Sequence, residues 1–179
     1  MSNREQLLKL IEAYALTWPS ELAPAILDSF IRRQPDCFER TCFLDGHVTG
    51  SAWIVCPHRR RVLLTHHRKL QKWLQLGGHS DGDSNTRRVA KREAEEESGL
   101  IVKAMDDRVF DIDIHAIPAR GVEPEHKHYD IRFLFEADDS VPLTVSDESN
   151  DLRWLAIEDL SALTSEESVL RMARKTPSA

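Results

Sequence analysis

The chain predicts an α/β fold, on three observations. Short runs alternating apolar and polar residues fill the stretch from His47 to Leu155, one acidic segment of helical spacing interrupts them, and helical spacing returns at both ends. Leu7, Leu8, Leu10, Ile11, Tyr14 and Ala15 recur at helical spacing, and Trp18, Pro19 and Ser20 punctuate the end. A second helix is expected over 20–33, with Leu22, Ile26, Leu27, Phe30 and Ile31 on its apolar side, stopping before Pro35. Residues 50–56 and 61–66 read as strands joined by a turn at 57–60, and 73–76 leads into a glycine-containing loop. The acidic helix should begin at Asp83 or Ser84, either of which can cap free N–H groups, and end at Gly99, which suits the left-handed C-terminal position. Residues 109–117 and 128–136 alternate as strands, 152–155 is a further short strand, and small helices near 157–163 and 165–174 close the chain.

At 179 residues the chain can bury one sizeable core with an appended element, divided here as a helical extension over 1–40 and a main domain over 41–179. The first two helices could cap the domain, shape a pocket or make a homodimer contact. Hydrophobic content of 41% and charged content of 30% are those of a soluble globular protein. A net charge of -6 argues against a nucleic-acid duplex or an anionic membrane as the main partner. Cys37, Cys42 and Cys56 form no CxxC pair and are odd in number, which suits reduced thiols in the cytoplasm. MSNREQLLKL lacks the apolar core of a secretion signal, and no apolar run is long enough to cross a bilayer.

The chemistry concentrates in residues 78–100, GHSDGDSNTRRVAKREAEEESGL. Residues three and four apart share a helix face, so Glu93, Glu96 and Glu97 project together. Like charges so placed weaken a helix, and a hard divalent cation removes that penalty. A solvated acidic face is the alternative, but it explains neither Gly78, Arg92 nor Gly99.

This segment resembles the signature of the Nudix hydrolases: a glycine, five residues, Glu, seven residues, then Arg-Glu-apolar-any-Glu-Glu-any-Gly-apolar. Gly78, Arg92, Glu93, Ala94, Glu96, Glu97, Gly99 and Leu100 fall at their places, and Ser84 stands where the first Glu is expected, with Asp83 one residue early. The resemblance covers roughly residues 47–163 and implies a mixed-sheet α/β/α sandwich. It also implies Mg²⁺ or Mn²⁺ held by Glu96, Glu97 and Glu93, and hydrolysis of a small-molecule diphosphate, most simply a nucleoside diphosphate linked to another group. Arg92 would position the glutamates more than touch substrate, Glu95 would face solvent, and Gly78 would lie along the substrate. Lys69, with Arg68 and Lys72 between the second strand and the loop, could contact phosphates, the alternative being solvated surface. A carboxylate outside the helix is expected to assist as ligand or general base. Glu148 is the candidate, with Asp147 and Asp151 competing. A non-catalytic module of the same fold that binds a nucleotide or metabolite is the alternative, and Ser84 is its only support.

Eight histidines are the second informative feature. Asp111, Asp113 and His115 alternate with apolar residues, as do His126, His128, Asp130 and Arg132, so pairing of these strands would gather imidazoles and carboxylates on one sheet face. His47 with 51–53, and Gly78-His79 with Ser84-Asn85, are similar to stretches of type I isopentenyl diphosphate isomerases, in which histidines at these places help bind a metal with carboxylates of a later strand. Here His126 and His128 stand where those carboxylates would lie, and Gly77 replaces the catalytic cysteine, which argues against isomerase activity. Action on an isoprenoid diphosphate is accordingly the weakest reading. What survives is a second, transition-metal site at His47, His79, His126 and His128, with His115 nearby, weighed against a polar pocket for phosphate or water. His58, His66 and His67 read as surface residues.

Overall fold

Strand β1 (His47–Val55) is buried along its whole length, because helices cover both faces of the sheet at its centre. The structure is a computed structural model that describes residues 1–147 and 149–178. β1 runs parallel to β7 (His126–Glu136) in a register that sets His47 beside His128, Thr49 beside Asp130 and Ser51 beside Arg132. Antiparallel neighbours complete a mixed, eight-stranded sheet. β1 pairs with β2 (Arg61–His67) and β4 (Leu76–His79). β7 pairs with β6 (Asp111–Ile117) and with β5 (Lys103–Ala104), a two-residue strand too short to show a pattern in sequence. β2 pairs with β3 (Lys72–Leu74) and β8 (Ser149–Ala156).

Alternation divides the sheet into two unlike faces. Val48, Ala52, Ile54, Ile131, Phe133 and Phe135 pack against α1 (Asn3–Thr17), α2 (Ala23–Arg33) and α3 (Thr86–Ser98). Gly50 lets α3 lie close, since a Cβ there would sit 2.5 Å from the Thr86 carbonyl oxygen. On the opposite face Trp53, Val55, Val62, Leu64 and Leu134 pack against α4 (Leu160–Leu163) and α5 (Glu167–Lys175). The expected mixed α/β/α arrangement is therefore present.

Local chemistry sets the helix ends. Ser2 and Glu5 form a reciprocal capping box on α1. α2 begins at Ala23, later than expected, with Pro24 in its first turn where no N–H partner is needed. Its buried stripe is Leu27, Phe30 and Ile31, while Leu22 and Ile26 are 77% and 49% exposed, contrary to their expected place on the apolar side. Leu22 precedes the helix, and Ile26 lies about 100° around the axis from Leu27. α3 is capped by neither Asp83 nor Ser84: the Asn85 side chain accepts the Arg88 N–H at 3.1 Å, and Asp83 instead accepts the Asn85 N–H at 2.9 Å. The helix ends at Gly99 in the left-handed region, φ 72°. No helix among the described residues is long and apolar enough to cross a membrane.

Candidate active site

Ala90 and Ala94 bury one side of α3 against the sheet, which carries Glu93 and Glu97 to the end of β4. There the Gly77 N–H donates to Glu97 Oε1 at 3.1 Å. A Cβ on Gly78 would lie 2.3 Å from Glu93 Oε2, and one on Gly77 would lie 2.6 Å from the Ser51 Cα. Two successive glycines are thus what lets the strand pass between β1 and the carboxylates. Glu96 is exposed beside them. Arg92 donates to Glu93 Oε1 at 2.6 Å and to the His79 carbonyl at 3.1 Å, tying helix to strand. Glu95 does not face solvent as expected: it is half-buried, accepts the Lys91 ammonium, and accepts the Val102 N–H at 3.2 Å, because the chain after Gly99 folds back along the helix. Oxygen donors seated on a glycine backbone suit a hard divalent ion.

Glu148 lies outside the described residues. Asp147 is exposed in a turn, and Asp151 is bound to Arg153 at 2.5 Å within β8. Lys69 stands in the exposed turn between β2 and β3, where its backbone N–H meets His67 Nδ1 at 3.3 Å, and its ammonium has no ion pair among the described residues. His58 is exposed, but His66 and His67 are half-buried rather than on the surface. The His66 ring packs on Trp73 at 5.2 Å, and His67 accepts from the 69–70 backbone.

The face of β1, β6 and β7 that α5 covers carries a charged seam. Arg132, 1% exposed, reaches Asp130 at 2.8 Å, Asp111 at 3.0 Å and Asp113 at 3.5 Å. Arg171 of α5 meets Asp111 at 2.8 Å and Asp113 at 3.0 Å. Lys175 bridges Asp111 at 2.8 Å, Glu21 at 2.6 Å and the Tyr14 hydroxyl at 2.6 Å, which fastens α1 and the connection after it to α5. Asp130 also accepts from Thr49 at 2.9 Å, Ser51 at 2.7 Å and Gln75 at 3.1 Å. Burial alone would raise the Asp111 carboxyl, but the Arg171 hydrogen bond and the charge of Arg132 outweigh it and hold it below the usual carboxylate range. Gln75 is a contributor the sequence did not single out, and Gly77 was noted there only as the residue in place of a cysteine.

Further along the same face the imidazoles converge. The His47 ring centroid lies 4.7 Å from that of His128, 4.9 Å from His126 and 5.1 Å from His79. His115 approaches His128 at 5.6 Å, and Phe43 stands edge-on to His126 at 5.2 Å. Among the described residues, ligand atoms of His47, His126 and His128 all lie within 4.8 Å of one another. Burial first, then the neighbouring histidines, lowers His47 to about 4 and His128 to about 2, so both rings are neutral at neutral pH.

Comparison with known proteins agrees with this geometry. The NUDIX domain family model matches residues 47–175. A Nudix-family hydrolase from Clostridium perfringens is 28% identical, with 74% of this chain and 97% of that one covered at a TM-score of 0.57. The Caenorhabditis elegans Ap4A hydrolase in a binary complex is 18% identical, covering 72% and 93% at 0.56. The Escherichia coli dihydroneopterin triphosphate pyrophosphohydrolase is 17% identical, covering 72% and 92% at 0.51. These last two share the fold. No curated protein sequence gives a match. With the family model spanning most of the chain and its signature helix seated on β4, the chain belongs to the Nudix family, whose enzymes are pyrophosphohydrolases.

Proposed function

We propose that the chain hydrolyses the diphosphate linkage of a nucleoside diphosphate joined to another moiety, with Mg²⁺ or Mn²⁺ held by Glu93, Glu96 and Glu97. The observation that carries this reading is the seating of Glu97 on the Gly77 N–H and of Glu93 against Gly78, with Glu96 exposed alongside. When bound, a divalent ion neutralises phosphoryl oxygens and makes water a stronger nucleophile. The chain's own part is to hold the three carboxylates in place. Arg92 does so by bonding Glu93 and the His79 carbonyl at once. Water adds at phosphorus, the bond to the bridging oxygen breaks, and that oxygen leaves on the second phosphate. Glu148 is our candidate for an assisting carboxylate from outside α3, as metal ligand or as general base for the water.

The test is phosphate release from a panel of nucleotide sugars, dinucleotides, nucleoside triphosphates and prenyl diphosphates. Glu97→Gln keeps the shape and loses the charge, and should lower Mg²⁺-dependent turnover by about 100-fold or more with an unchanged unfolding midpoint. Unaltered turnover in that variant would overturn the site. Release only from prenyl diphosphates would overturn the substrate class, and binding without release from any member would make the chain a sensor instead.

A further inference from the structure

We propose that His47, His126 and His128, with His79 beside them, hold a first-row transition-metal ion of the Zn²⁺ class, separate from the ion assigned to α3. Three observations converge on it. The ligand atoms of the first three lie within 4.8 Å of one another, against about 3.3 Å for nitrogens around a tetrahedral Zn²⁺ with bonds of 2.0–2.1 Å, a gap that small ring rotations close. Both ring nitrogens of His47 and Nε2 of His128 are buried with no hydrogen-bond partner among the described residues. The Cys42 backbone approaches His47, but not at hydrogen-bond geometry. A buried nitrogen left unpaired is destabilising, and a ligand would relieve that.

The third observation is how the other rings are held. His126 Nδ1 lies 2.8 Å from the Pro124 carbonyl, which can only accept, so Nδ1 carries the proton and Nε2 keeps its lone pair. His115 Nδ1 meets Asp113 Oδ2 at 3.0 Å in the same manner, and Asp113 is itself held by Arg132 and Arg171. An outer acceptor that orients one nitrogen and frees the other is the arrangement of metal-binding histidines. An all-imidazole set favours Zn²⁺, Fe²⁺, Co²⁺ or Ni²⁺ over Mg²⁺, so the two sites select different ions. They meet at β4: the His79 ring faces the cluster while its carbonyl receives the Arg92 that holds Glu93. The proposal does not depend on the hydrolase reading.

The experiment is metal analysis of the whole chain, stripped with a chelator, reloaded with Zn²⁺ in excess Mg²⁺ and desalted. The expected result is about one Zn²⁺ per chain. It should persist in Glu96→Gln with Glu97→Gln, and binding should weaken in His126→Ala with His128→Ala by more than the roughly 10–100-fold that loss of an outer partner costs. No retained Zn²⁺, or Zn²⁺ lost with the glutamates and kept without the histidines, overturns the proposal. Should the histidine variant fail to fold, long-range ¹H–¹⁵N spectra of the unaltered chain decide. Ring nitrogens of His47, His126 and His128 that shift on addition of Zn²⁺ support the site, and nitrogens that stay put refute it.

Discussion

Two polar neighbourhoods share one face of the sheet and are a few residues apart along β6 and β7, yet they are built on opposite terms. In the seam, Asp111, Asp113 and Asp130 meet Arg132, Arg171 and Lys175. In the imidazole cluster, three buried ring nitrogens have no hydrogen-bond partner among the described residues. Burial of a charge or polar group is tolerated when it is paired. The contrast teaches that the seam is finished by the chain itself, while the cluster is shaped for something the chain does not supply.

The largest expected effect separates them directly. Arg132→Met leaves two buried carboxylates and the half-buried Asp113 without their central partner, and urea unfolding should show a loss of about 3–5 kcal/mol. A loss near zero would mean the seam is not what holds this face. Next, His128→Leu in metal-stripped protein should cost under about 1 kcal/mol or stabilise, because an orphan nitrogen is removed with its ring. The same variant should forfeit Zn²⁺-dependent stabilisation, about 2.7 kcal/mol for a parent loaded at a hundred times its Kd. If stripped His128→Leu were as damaged as Arg132→Met, the two regions would not differ as described.

The smallest effect concerns acid. Asp111 is held below its ordinary value in the fold, so its contribution to stability is fully present above the unfolded carboxylate value of about 3.9 and is lost as pH falls through the folded value. The seam should therefore add no slope to stability between about pH 5 and 8, and a decline only below about 4. Arg171→Met removes the largest influence that lowers Asp111, and should move the onset of that decline to higher pH. Thermal unfolding followed across pH reads both, and an unmoved onset would assign the shift elsewhere.

What could be read in advance followed from short-range rules. The spacing of Glu93, Glu96 and Glu97 and the stop at Gly99 are consequences of helical period and of glycine's freedom at φ 72°. Alternation in 109–117 and from His126 to Arg132 put the polar residues on one side of each strand, and their meeting on one sheet face was expected only if the strands paired, as they do. What could not be read depends on contacts between distant segments. The parallel register of β1 and β7 sets His47 beside His128; nothing local to either strand encodes it, and only the resemblance to the isomerases joined the two in advance. The same holds for Lys175 reaching Asp111, and for Glu95 drawn onto the backbone of Val102. Leu22 and Ile26 misled because apolar character alone does not say where the first turn of a helix begins.

The bond from Lys175 to Asp111, Glu21 and Tyr14 ties the opening of the polypeptide to its close. Trimming the chain short of that lysine would strip a counter-cation from the protein's interior rather than shave its periphery. Shortening from the front through Tyr14 would unlatch the same buckle from the other side. Affinity tags belong beyond both limits, on spacers long enough to leave the latch undisturbed.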